Sequence, residues 1–331
     1  MAAARGSGTD HDEQRGPTVP DGADPVAGDF DGDGSSDVYW YGHGRGDEVW
    51  YGGDGGFAVA AGGPSPGGLQ VVVGDFDGDG RADLYWHDPT LAVDSFWYGR
   101  PGRTWDARPT STVARTTPFV GDFDGNSTDD VLLYGGANHD DFLMLMTRAG
   151  RGSRWVDVPD DIVPVVGDLD GDTRDDVLLH HPWGGVDEAW FGADDALFTA
   201  RIVPSPQSNG TRRPLVGDLD ADHADDIVWL DGPAAGTIEY GRSFAQGRIP
   251  QADTALAALA DLTGGGTADL VTSGGGGGAQ VTTAATDRSL QATPVDAPAA
   301  DRLLVLDTGP DGRRDLLWAK GGEPATIWRS R

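Results

Sequence analysis

Aspartate recurs at alternate positions in the stretch "GDFDGDGRADLYW", residues 74–86, and the chain then turns apolar. Carboxylates as close in sequence as Asp75, Asp77, Asp79 and Asp83 repel one another unless a positive charge lies among them. In a tightly curled loop, alternate side chains point inward, so the first three share one centre. Gly78 and Gly80 let the backbone bend through conformations that a Cβ resists. The Arg81 carbonyl is placed as a neutral ligand, and Asp83 closes the shell from the far side. An all-oxygen set of about five protein ligands plus water suits Ca²⁺, whereas Mg²⁺ prefers fewer carboxylates and more water.

An EF-hand loop begins in a similar way, but it requires a glutamate at its twelfth position and flanking helices. Trp86 stands at the twelfth position here, within a strand-like "LYW". The unit is therefore a different kind of loop, and it repeats. Copies start at Asp29 ("DFDGDGSSD"), Asp75 ("DFDGDGRAD"), Asp122 ("DFDGNSTDD"), Asp168 ("DLDGDTRDD") and Asp218 ("DLDADHADD"). Two eroded copies follow at Asp261 ("DLTGGGTAD") and Asp307 ("DTGPDGRRD"). The intervals are 46, 47, 46, 50, 43 and 46 residues, so seven copies fill nearly the whole chain.

The elements that must position these loops read alike in each copy. An apolar run such as "QVVVGDF" enters the loop, and a second such as "DLYWHD" or "DVLLHH" leaves it. About ten residues later comes a third ("DSFWYGR", "DEAWFGA"), then a weaker fourth around Phe57, Trp105, Trp155, Phe198 or Phe244. Short runs rich in β-branched and aromatic residues, bounded by Gly, Asp and Pro, predict strands. Residues 254–262, "TALAALADL", are helix-like in composition but occupy a first-strand slot. Four strands per repeat predict an all-β, seven-bladed β-propeller of four-stranded antiparallel blades. The second strands are apolar on both faces, as strands between neighbouring blades should be.

The pattern D-x-D-x-D-G-x-x-D, the apolar run after it and the blade-length period resemble FG-GAP (VCBS) repeats, found in the integrin α-subunit propeller and in many secreted bacterial proteins. The resemblance covers residues 25–331. It implies a Ca²⁺ loop between the first and second strands of each blade. Carried over position by position, the ligands are Asp29, Asp31, Asp33 and Asp37 in repeat one, and Asp75, Asp77, Asp79 and Asp83 in repeat two. Repeat three offers Asp122, Asp124, Asn126 and Asp130, repeat four Asp168, Asp170, Asp172 and Asp176, and repeat five Asp218, Asp220, Asp222 and Asp226. Ser35, Arg81, Thr128, Arg174 and Ala224 would lend carbonyls. Repeat six keeps only Asp261 and Asp269 and is expected to be empty. Repeat seven keeps Asp307, Asp311 and Asp315 and is expected to be weak or empty. In repeat five Ala221 and His223 replace both glycines, which predicts a strained loop.

The net charge of −30 argues against nucleic acid as a partner, since phosphate binding needs a basic surface. There are no cysteines and no run of membrane-span length. Residues 1–24 lack an apolar export core and read as a disordered acidic leader before a single propeller domain over 25–331. The last repeat ends after its third strand. The only segment available to close it, residues 13–20 ("EQRGPTVP"), is poor strand material, so a three-stranded seventh blade or a loose closure is expected. Millimolar Ca²⁺ would saturate sites of the extracellular kind, which favours an extracellular or cell-surface location.

Loops joining second to third strands lie on the face opposite the calcium loops. They hold or adjoin His43, His87, His139, His180 and His181, with Asp47, Asp88, Asp94, Asp140, Asp141 and Asp187. A shared acid–base or metal site across blades is one reading, and polar loop tips too far apart to converge is the favoured one. Arg45-Gly46-Asp47 spells an integrin-recognition triplet but reads as a hairpin bend. Asn126 and Asn209 begin glycosylation sequons that read as a metal ligand and as loop composition. Trp40, Trp50, Trp86, Trp97, Trp190, Trp229, Trp318 and Trp328 either fill the wedges between sheets or stack on sugars. The resulting expectation is a monomeric, non-enzymatic, Ca²⁺-stabilised scaffold for adhesion or ligand binding, with a protein or glycan as partner. The alternatives are a lectin with sugars bound between blades and a propeller polysaccharide lyase or hydrolase.

Overall fold

The computed structural model describes residues 11–42, 46–53, 55–63, 65, 68–136, 140–194, 198–204, 212–230, 236–250, 254–274, 276–309 and 313–331. These residues form seven four-stranded antiparallel sheets. The first strands, Asp24–Gly28, Gln70–Gly74, Thr117–Gly121, Val163–Gly167, Arg213–Gly217, Leu256–Ala260 and Arg302–Leu306, lie side by side around the axis. The helix-like segment 254–262 is thus a strand, as its slot in the repeat required. No described helix is long and apolar enough to cross a membrane.

One register recurs in every blade. The last residue of the first strand pairs with the ninth loop residue: Gly28 with Asp37, Gly74 with Asp83, Gly121 with Asp130, Gly167 with Asp176, Gly217 with Asp226, Ala260 with Asp269, and Leu306 with Asp315. Each acidic loop therefore hangs from the same rung. The glycine on that rung answers a packing demand, because a Cβ on Gly28 would lie 2.5 Å from the Ala82 Cβ of the next blade.

Apolar burial lies between blades rather than at the axis. Second strands such as Asp83–His87 and Asp176–His180 are buried throughout, while fourth strands such as Ala58–Ala61 face solvent. The described side chains form seven separate cores, one per joint. Trp40, Trp50, Trp86, Trp229, Trp318 and Trp328 are buried in them, which resolves the sequence-level choice in favour of wedge filling. Trp97 and Trp190 are only half-buried.

A ring of backbone hydrogen bonds joins successive blades. The amide of the eighth loop residue donates to the carbonyl of the first loop residue one blade back. The seven links are Ala82 to Asp29, Asp129 to Asp75, Asp175 to Asp122, Asp225 to Asp168, Ala268 to Asp218, Arg314 to Asp261, and Ser36 to Asp307. The last of these shuts the wheel.

Closure corrects the expected leader and the expected three-stranded seventh blade. Residues His11–Thr18 form a strand that pairs antiparallel with Pro324–Ser330, from His11 opposite Ser330 to Arg15 opposite Thr326. Its register is irregular only between Arg15 and Thr18, around Gly16-Pro17. This outermost position needs backbone groups more than apolar side chains, so a polar sequence fills it. The His11 ring stacks on Trp328 at 4.0 Å, and Asp12 pairs with Arg331. Val19 and Ala23 then enter the core that joins blade seven to blade one, beside Leu306, Leu317 and Ile327.

Candidate metal centres

The blade-two loop shows how the sequence builds its centre. Asp75 accepts hydrogen bonds from the amides of Asp79 (3.0 Å) and Gly80 (2.8 Å), which curls the loop about its first carboxylate. Asp79 accepts from the Arg81 amide at 3.0 Å. Asp83 accepts from the Phe76 amide at 3.0 Å and from the Gly99 amide at 2.8 Å, tying the loop to the end of the third strand. Asp77 Oδ1 is buried with no hydrogen-bond partner. Oxygens of Asp75, Asp77 and Asp83 lie within 4.8 Å of one another.

The same geometry groups Asp122, Asp124 and Asp130 in blade three, Asp168, Asp170 and Asp176 in blade four, and Asp218, Asp220 and Asp226 in blade five. Blade one instead groups Asp29, Asp31 and Asp33, without Asp37. Unpartnered buried oxygens recur on Asp130, Asp170 and Asp220. A buried carboxylate oxygen with nothing to bond is costly in a folded protein. A hard cation would give each triad the positive, oxygen-seeking partner it lacks, so the residues fit Ca²⁺ chemically. The fifth-position side chains stand outside the triads of blades two to five. Asp79 faces Arg100 at 2.8 Å, Asp172 faces Arg174 at 2.6 Å, and Asn126 Nδ2 donates to the Met146 carbonyl at 2.9 Å. Asn126 is exposed, with its Nδ2 held by the carbonyl of Met146 in the third strand.

Charge crowding registers on the ninth-position carboxyls. Burial pushes Asp37 up to about 7, helped by Asp31 and Asp29, and pushes Asp83 up to about 8, helped by Asp77 and Asp75. Asp130 rises to about 8, and Asp176 and Asp226 to about 7, for the same reasons. These aspartates have a second task. In blades six and seven, where other ligands are lost, Asp269 still accepts from the Leu262 amide, and Asp315 from the Thr308 and Ser330 amides. The ninth aspartate survives in the eroded repeats because it fastens the blade. Neither eroded loop forms a triad among the described residues, and Asp311 lies outside them.

Sequence reasoning missed the eighth loop position. Asp129, Asp175 and Asp225 accept from the amides of Asp75 (2.7 Å), Asp122 (2.8 Å) and Asp168 (3.1 Å) of the preceding blade. Burial and the neighbouring loop's carboxylates push Asp129 up to about 6. The visible signal was the doubled aspartate in "TDD", "RDD" and "ADD". Arginines of the following blade's outer hairpin also reach these loops: Arg103 pairs with Asp31 at 2.8 Å and Arg288 with Asp220 at 2.6 Å.

Loop five is strained as expected. Ala221 and His223 hold φ of 59° and 66°, where glycine stands in loop two. Left-handed backbone costs a residue with a Cβ about 1–2 kcal/mol. His223→Gly is therefore expected to stabilise the protein by about 1 kcal/mol, read as a rise of a few degrees in melting temperature. An unchanged or lower value would show that His223 makes a compensating contact.

The histidines of the opposite face do not converge. His87 pairs with Asp94 at 3.2 Å and meets the Thr116 carbonyl at 3.0 Å, while His180 pairs with Asp187 at 2.8 Å. Both are buried at the joint with the next blade, His180 with its ring 4.3 Å from that of Trp229, rather than at exposed loop tips. Burial raises the Asp94 carboxyl, but hydrogen bonds from His87, Thr112 and Tyr85 outweigh it and hold Asp94 below the usual range. Asp141 accepts from the Gly135 and Val158 amides. Asp47 is buried and accepts from Tyr39 Oη and Ser65, so the Arg-Gly-Asp triplet does not present its carboxylate. His43, Arg45, His139 and Asn209 lie outside the described residues.

Residues 29–86 match the FG-GAP-like repeat. Among solved structures, the chain is similar to an Agrocybe aegerita lectin with specific recognition of non-reducing terminal N-acetylglucosamine. That match has 16% identity and a TM-score of 0.70, over 94% of this chain and 86% of the lectin. It is also similar to BBS1N, solved in complex with ARL6DN, at 11% identity and a TM-score of 0.59, over 95% and 93% of the two chains. A triple-arginine mutant of AofleA from Arthrobotrys oligospora aligns at 11% identity and a TM-score of 0.52, over 99% and 95%. At these identities the likeness is one of fold. No curated protein sequence matches the chain.

Proposed function

For a seven-bladed propeller of FG-GAP-like repeats, we propose a calcium-stabilised, non-enzymatic, glycan-binding protein that acts as a monomer outside the cell or at its surface. The observation that carries the metal half is the set of five aspartate triads, four of which hold an unpartnered third-position or ninth-position oxygen beside a curled loop of backbone amides. Bound Ca²⁺ would supply charge neutralisation and a rigid loop. The carbonyls of Ser35, Arg81, Thr128, Arg174 and Ala224 would complete the shells, with Asp79, Asp172 and Asp222 placed nearby. The glycan half draws support from the likeness to a lectin over 94% of the chain. The likeness to a lectin favours it over the adhesion-scaffold reading, and burial of Asp47 gives the latter no help from the Arg-Gly-Asp triplet. The non-enzymatic reading draws support from His87 and His180, which are fully engaged or enclosed within the fold.

A glycan array probed with the intact protein tests this reading. Binding to a defined set of sugar termini is expected in millimolar Ca²⁺, and it should weaken in EDTA as the loops loosen. An array with no bound glycan in Ca²⁺ would end the lectin reading while leaving the metal centres to be tested separately.

A further inference from the structure

We infer that the joint between blades two and three holds a site for a carboxylate-bearing sugar, a refinement that rests on the glycan-binding reading above. A cavity of about 500 Å³ opens there on the same face as the acidic loops. Its blade-two wall carries Phe96, Tyr98, Arg100, Arg108 and Thr110, and its blade-three wall is the outer hairpin from Met146 to Arg151. The volume falls in the range of small-ligand sites, roughly 300–1,000 Å³, and is far larger than a lone inorganic anion needs.

Four arginines line this one cavity in a chain of net charge −30. Two are already spoken for: Arg100 by Asp77 and Asp79, both at 2.8 Å, and Arg108 by Asp106 at 2.7 Å. The Arg100 and Arg108 guanidinium groups also sit 5.3 and 5.2 Å from the Tyr98 ring centre. Arg148 and Arg151 enter no ion pair among the described residues. Arg151 reaches only the Met144 sulfur, at 4.0 Å, and Arg148 lies over Gly78 of the neighbouring blade's loop. Two guanidinium groups left without a carboxylate, in a protein that has acid to spare, point to an anion from outside. Planar guanidinium matches a carboxylate in bidentate fashion.

The remaining lining decides what carries that carboxylate. Exposed Pro109, with the edges of the core residues Phe96, Tyr98 and Met146, offers a small apolar surface for the C–H face of a sugar ring, and Thr110 Oγ1 is buried without a partner, available to a hydroxyl. A polyanion such as a nucleic acid is disfavoured by the acidic surface beyond the cavity. A short sugar acid with one or two carboxylates meets mainly the local arginines, since exposed charges farther than about 8 Å are largely screened at physiological salt. Neutralising Asp77 with a divalent cation would raise the positive potential in the cavity further.

Calorimetry of the intact protein in Ca²⁺ tests the site with digalacturonate, its methyl ester and N-acetylglucosamine disaccharide. The acid should bind at least tenfold more tightly than its ester. Arg148→Ala and Arg151→Ala should each cost it about tenfold without changing the melting temperature, since both side chains are exposed. Arg151→Lys should recover only part of the loss. Equal affinities for acid and ester, or acid binding untouched by either alanine variant, would overturn the site. Binding of the neutral disaccharide alone would overturn it while keeping the glycan-binding reading. If none of the three sugars bound, the site would fall, and the glycan-binding reading would stand or fall on the array.

Discussion

Adding Ca²⁺ to the metal-free protein is expected to raise its melting temperature by about 10 °C or more, with Mg²⁺ a poor substitute. Sites of the extracellular kind have dissociation constants near ~10⁻⁴ M, so millimolar ion stabilises each by about 1.4 kcal/mol. Five triads together give on the order of 7 kcal/mol, comparable to the whole net stability of a domain, and a chain of this size shifts by about 2 °C per kcal/mol. Asp77→Ala and Asp170→Ala should each forfeit one site in Ca²⁺. In EDTA they should be neutral or stabilising, because each then removes one of several repelling carboxylates.

The pH dependence of the metal-free form has a definite sign. Burial and neighbouring carboxylates raise Asp37, Asp83, Asp130, Asp176 and Asp226 to about 7 or 8, against an ordinary value of 3.8. The folded state therefore holds protons that the unfolded chain has already released. Stability is greatest below the ordinary carboxylate range and falls as pH rises through 7 to 8. Melting in EDTA should be lower at pH 8.5 than at pH 5, and the order should reverse in Ca²⁺, because the ion competes with the protons. A flat EDTA profile would remove the electrostatic account of these loops.

Deleting residues 1–18 should lower the melting temperature more than the loss of any single metal ligand. The deletion removes the outermost strand of blade seven, with its ladder to Pro324–Ser330 and the His11–Trp328 stack. At about 1 kcal/mol per hydrogen bond, the ladder is worth on the order of 5 kcal/mol. The exposed edge would also invite pairing between chains, visible as oligomers in size-exclusion chromatography. Glu13→Ala and Gln14→Ala should change little, because the strand contributes backbone. Unchanged melting and a monomeric elution after truncation would mean that the wheel closes without this strand.

Repetition made the fold legible. Seven in-phase loops set the blade number, and the apolar runs around them set four strands per blade. The closing strand was illegible for a physical reason: an outermost strand buries little, so "HDEQRGPT" carries no apolar alternation, and its partner lies at the far end of the chain. The triads were legible as spacing, since positions one, three and nine of loops two to five, and one, three and five of loop one, follow directly from the motif. What spacing alone misassigned was the division of labour. The ninth aspartate fastens blades even where no triad remains, and the eighth, in Asp129, Asp175 and Asp225, reaches across the joint to a partner defined only by the closed ring. The cluster of cavity arginines was invisible for the same reason, because Arg148 and Arg108 line one cavity only where two blades adjoin.

Because His11 lies opposite Ser330 in blade seven, the two described ends of the chain sit side by side on the rim. The wheel then has no structurally privileged first spoke. A circular permutant that joins these ends and opens the polypeptide between two other blades would keep every inter-blade wedge intact, so the order of synthesis and the order of assembly around the axis are separable in this architecture.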